Sequence, residues 1–125
     1  MFYLSLLKQK HNTMEQKNVK YIAKGLVYGF FWGGGEGAYH SKTIVSSSMD
    51  DLTEKIMEGI EDGSLDKGMG YERLIGAFMR VTIKTTIVID GEDYVNESHT
   101  NQFFGVLNEK QKKFLEENIF SPLYQ

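Results

Sequence analysis

The chain contains no cysteine, one proline and one tryptophan. Without cysteine there is no disulfide, no thiolate nucleophile and no cysteine-ligated zinc, a usage that fits a reducing compartment. No stretch is apolar for long enough to span a bilayer, so no membrane partner is expected. Basic residues are not in excess: the net charge is −3 and the pI near 5.6. Tight, non-specific nucleic-acid binding needs a basic face to displace counterions and is therefore excluded. His11, His40 and His99 share no metal-ligand spacing, and Ser46-Ser47-Ser48 has no recognisable acid–histidine partner. The segment from Asp62 to Arg73 imitates the oxygen spacing of a calcium loop, but its glycine falls at position seven and Arg73 stands where a bidentate glutamate belongs. The reading is therefore no metal, no cofactor, no catalytic residues and no enzyme.

What is present describes one modest globular domain. Of 125 residues, 41% are hydrophobic and 25% charged, close to globular averages. Charge is distributed in blocks. Residues 1–24 carry five lysines against Glu15, and residues 48–72 carry eight acids against Lys55 and Lys67. The opening residues 1–7 fail as a signal peptide: no charge precedes the apolar run, the run is short, and no small-residue cleavage site follows. Residues 1–17 read as a poorly ordered extension and 18–125 as a single domain, cytoplasmic in location (the host cytoplasm, if a phage encodes it).

Residues 28–39 concentrate five aromatics and five glycines within twelve positions, with the sole tryptophan, Trp32, at the lip of the glycine run. Glycine costs conformational entropy and adds nothing to a core, so this density singles out the loop. Bare amides beside aromatic faces suit a flat anion such as a nucleotide. A wide hairpin turn flanked by a strand's ordinary aromatics accounts for the same residues. The loop is neither a Walker loop nor a dinucleotide fingerprint, because no Gly-Lys-Ser/Thr follows and a strand, not a helix, comes next. Glu36 would repel a phosphate unless turned outward. Cations must then come from elsewhere, with Lys24, Lys42, Arg73, Arg80 and Lys84 as the supply. The candidate ligand-binding residues are Trp32, Gly34, Gly35, Tyr39, Lys42, Arg80, Asn101 and Phe103. The last two belong to a second polar-aromatic cluster, Asn101-Gln102-Phe103-Phe104. Its adjacent rings either split between core and surface or both join the core.

Residues 19–32 alternate as a strand interrupted by Gly25 and Gly29, and 38–46 return as its partner. Ser48-Met-Asp-Asp51 starts a helix with Leu52, Ile56 and Ile60 along one stripe. Residues 71–80 fit helical turns or the lead into a strand. Residues 81–89 alternate plainly, Asp90-Gly91 turns the chain, and 94–98 with 102–106 return. Asn108 to Gln111 caps a closing helix that Pro122 stops. The expected fold is α+β: an antiparallel sheet from two hairpins, with both helices on one face in ββα-ββα order.

Trp32-Gly-Gly-Gly-Glu-Gly-Ala-Tyr39 together with Asp62-Gly-Ser-Leu-Asp-Lys-Gly-Met-Gly70 resembles small phage and prophage proteins. Within these the chain is similar, over roughly residues 19–118, to the Thoeris anti-defense sponges. That resemblance implies a small α+β oligomer that sequesters a cyclic ADP-ribose signal without degrading it; it assigns no site residue. The expected partners are a small anionic nucleotide-like ligand and further copies of the chain, as a dimer or a higher even number. The alternative is a protein-inhibitor module whose acidic helix serves as a docking face or nucleic-acid mimic.

Overall fold

The computed structural model describes residues 15–124. Its first strand, β1 (Glu15–Phe31), is seventeen residues long. Glu15, Gln16 and Lys17 belong to this strand, opposite Ile89, Val88 and Ile87 of β4 (Tyr71–Ile89). They therefore join the sheet rather than the extension; residues 1–14 lie outside the described residues. After a turn at residues 32–35, β2 (Glu36–His40) returns along β1. The expected single return strand is broken in two, because β3 (Ile44–Ser46) pairs separately with Tyr21, Ile22 and Ala23. The break has a cause: the Ser41 N–H still reaches the Gly25 carbonyl, whereas the Lys42 N–H turns away to the Leu65 carbonyl.

Helix α1 (Met49–Glu61) starts where Ser48 accepts a hydrogen bond from the Asp51 N–H at 3.1 Å. Residues 71–80 are strand, continuous with the alternating segment that follows, so β4 reaches nineteen residues. Asp90 and Gly91, at φ 53° and 81°, make the tight turn into β5 (Glu92–Gly105). Asn108 and Gln111 form a reciprocal capping box that opens α2 (Glu109–Asn118). The helix ends before Pro122, which begins a 3-10 turn, Pro122–Tyr124. The protein is thus α+β, with the antiparallel sheet ordered β2-β1-β4-β5 and β3 beside β2 on the same edge of β1.

The two helices do not share a face. Ala23, Val27, Ala77, Met79, Val81 and Phe104 pack with Leu52, Ile56 and Ile60 of α1. Leu26, Tyr28 and Phe78 point the other way and pack with Leu115 and Ile119 at α2. The sequence carries the reason: Leu26-Val27-Tyr28 on β1 and Ala77-Phe78-Met79 on β4 are unbroken apolar runs, and all six residues are buried. A strand that buries consecutive residues needs cover on both sides. Neither packing cluster includes a residue between Thr82 and Asn101, so the outer half of β4 and β5, with the start of β1, projects as a three-stranded arm.

The glycines of β1 mark a bulge and a close approach. A register shift falls at Tyr28/Gly29, and a Cβ on Gly25 would sit 2.1 Å from the Phe78 carbonyl oxygen. Gly25→Ala is expected to lower unfolding free energy in urea by about 3 kcal/mol, since only backbone movement relieves the overlap. Gly35→Ala, with only a Phe31 ring carbon at 3.8 Å and no positive φ, should stay within about 0.5 kcal/mol of wild type.

Candidate anion-binding site

The aromatic hairpin is largely occupied by its own fold. The Tyr28 hydroxyl donates to Glu36 at 2.8 Å, and Gln111 of α2 reaches the same Glu36 oxygen at 3.4 Å. Burial, this hydrogen bond and the Glu36 charge push the Tyr28 pKa up to about 12. Phe31 stacks on Tyr71 with centroids 4.5 Å apart, and the Arg73 guanidinium lies 4.8 Å from the Phe30 ring. Tyr39 meets the His40 ring edge-on at 4.6 Å. Trp32 alone is extended into solvent, 71% exposed, on a turn where Gly33 and Gly34 adopt positive φ.

Phe103 and Phe104 both join the core: Phe104 packs with the α1 cluster, and Phe103 stacks on Phe78 at 4.2 Å under the Lys112 ammonium. Lys42 is exposed and does not line the cavity described below, though its neighbours Ser41 and Thr43 do. Asn101 is exposed on β5, opposite Arg80 in register.

The cavity of about 260 Å³ lies where the end of α2 meets β1, β2 and β4. Lys24, His40, Ser41, Lys67, Arg80 and Phe120 line it, with Gly25, Thr43 and Ile119. Of the eight residues expected from sequence, only Arg80 is among them. Lys24 and Arg80 are register partners on β1 and β4, so their side chains rise from the same face. The Phe120 ring covers the Arg80 guanidinium, 4.5 Å from its carbon. Arg80 Nε is buried and has no hydrogen-bond partner, the one such side-chain atom among the described residues. A buried charged donor without a partner carries a desolvation penalty that an oxyanion would remove.

Among the described residues no carboxylate lines the cavity, and no ion pair engages Lys24, Lys67 or Arg80. The last turn of α2 brings roughly half a negative charge, too little to offset three cations. Burial, and then the charge of Lys67, holds the His40 pKa below its ordinary value. At neutral pH the lining therefore presents three positive side chains and one neutral imidazole.

Asp66 fixes the backbone of the loop that carries Lys67. Its carboxylate accepts from the N–H groups of Gly68, Met69, Gly70 and Tyr71 at 2.8–3.3 Å. Burial pushes its pKa up, but these four donors prevail and hold it below the usual carboxylate value. A carboxylate so engaged is a clamp for its own loop. Ser41 bridges to Asp66 and accepts from the Gly25 N–H, tying the clamp to β1. Sequence reasoning placed Lys24 and Arg80 in the cation supply but missed Lys67. Its loop carries no phosphate motif, and its placement depends on the long-range bridge.

No family model, curated protein or solved structure matches the chain.

Asp66→Ala should cost about 2–3 kcal/mol of stability. A lowered folded-state pKa gives stability that is complete above the unfolded value near 3.8 and is lost as pH falls through the folded value. Urea midpoints between pH 5 and pH 2 should therefore fall more steeply in wild type than in the variant.

Proposed function

We propose that this protein binds a small anionic, nucleotide-like ligand in the Arg80 cavity and sequesters it unchanged, as the similarity to phage sponges of cyclic ADP-ribose signals implies. The reading is carried by the buried, unpartnered Nε of Arg80 among cations that, among the described residues, have no carboxylate beside them. A guanidinium offers a planar fork to phosphate oxygens, and the half-exposed Phe120 ring at the same cavity suits a base or sugar face. Trp32, just past the end of β1, lies seven residues from Gly25, about 23 Å away at some 3.3 Å per residue. One nucleotide-sized ligand does not reach both, and the cavity is the better seat.

Sequestration operates in the cytoplasm and without turnover. The protein works as a homo-oligomer, a reading supported by the fourteen-residue β5 at the sheet edge and by exposed Ile89, Tyr94 and Val95 on the arm. Among the described residues no helix is long and apolar enough to cross a membrane.

A second reading has its own observation. On α1, Glu54, Glu58 and Glu61 surround exposed Met57, beside Ile75 and Val106 across a shallow groove. That is an apolar strip with an acidic rim, suited to docking a basic partner protein.

Thermal-shift titration with cyclic nucleotides and cyclic ADP-ribose isomers tests the first reading, with ligand recovered after heat denaturation for identification. Intact ligand in the recovered fraction is expected. Hydrolysed product would make the protein an enzyme, and no stabilisation across the panel would favour the docking reading. Arg80→Gln should weaken binding by about ten- to a hundredfold, the loss of one charge-assisted hydrogen bond, while Trp32→Ala should bind as wild type. Light scattering at tens of micromolar should report a dimer or a higher even number; a monomer would end the oligomer proposal.

A further inference from the structure

We infer that the Arg80 cavity selects ligands bearing a pyrophosphate-type pair of negative charges over singly charged cyclic phosphates. The inference rests on the anion-binding reading and names the ligand class that the charge arrangement favours. Lys24 from β1, Arg80 from β4 and Lys67 from the loop after α1 converge on one cavity. A monoanion neutralises one of these charges and leaves two repelling each other in a partly dehydrated space. A diphosphate group matches the set more closely, with Arg80 gripping two oxygens in one plane and the lysines acting as point charges on the others. At roughly 30 Å³ per water, a cavity of about 260 Å³ has room for a diphosphate, with the attached sugar or base at Phe120.

His40 gives a second, independent signature. It faces Lys24, Lys67 and Arg80, with Ile119 and Phe120 beyond them. Tyr39 touches its ring, and the neighbouring Asp66 carboxylate is taken up by backbone amides. Burial and the Lys67 charge keep the empty cavity's imidazole neutral. An entering dianion reverses the local potential, so His40 takes up a proton and becomes a donor to the anion. The bound-state pKa then lies above the unbound one. Between those two values binding absorbs a proton, and affinity rises as pH falls.

Calorimetric titration of the whole protein at pH 7 with inorganic pyrophosphate and with cyclic AMP tests the inference. Pyrophosphate should bind at least about tenfold more tightly. Lys67→Met and Lys24→Met should each weaken pyrophosphate by about tenfold and change cyclic AMP by less than about threefold. Sulfate does not titrate between pH 6 and pH 8, so it isolates the protein's own protons. Its affinity should rise toward pH 6 in wild type and stay flat in His40→Gln. Equal affinity for pyrophosphate and cyclic AMP would overturn the charge selection while leaving the cavity as an anion site. A sulfate profile that is flat in wild type would remove His40 from the mechanism. No binding of pyrophosphate, cyclic AMP or sulfate would overturn this inference and the anion-binding reading together.

Discussion

The pairing of β1 with β4 is the interaction on which the rest depends. Seventeen residue pairs run from Glu15 opposite Ile89 to Phe31 opposite Tyr71. Both helices pack on this ladder from opposite sides, both edge systems hang from it, and it sets Lys24 beside Arg80. Gly25 lets the two backbones meet more closely than any side chain would permit, directly beneath the cavity. Shifting the register by one residue would exchange the two apolar faces and separate the basic pair.

Much of this was legible locally. Ser48 and Asn108 announced their helices through capping chemistry, Asp90-Gly91 announced its hairpin, and the period of two from Val81 to Ile89 announced the strand. Residues 71–80 stayed ambiguous because an apolar run buried on both sides loses the alternation that distinguishes strand from helix. The same double burial hid the helices' opposite placement. The return strand broke at residues 41–43 for a reason no local window contains: Lys42 serves Leu65, and Ser41 bridges to Asp66.

The candidate site shows the same division. Arg80 was legible as one of the cations that an anion at the aromatic loop would require. The aromatic-glycine hairpin drew more notice, yet its rings are mostly spent on Glu36, Tyr71, Arg73 and His40. Composition marks where unusual residues are dense, whereas electrostatic character follows from which distant residues converge. Lys67 reaches the cavity through a clamp of four amides, a bridge to Ser41 and two positive-φ glycines, Gly68 and Gly70. That loop fixes the Lys67 backbone before any ligand arrives, so the ordering entropy left to lose there on binding is that of the side chain.

The three-stranded arm has a consequence of its own. Its residues lack the side-chain layers that sandwich the central ladder, so it forms the least protected end of a continuous sheet. Local opening then begins at the Asp90-Gly91 tip and travels inward as a fraying front. Lys24 and Arg80 stand next to Ala23 and Val81, where the doubly covered sheet begins. A molecule bound there would bridge the two strands at the base of the arm and stop the front, slowing amide hydrogen exchange well beyond the atoms it touches.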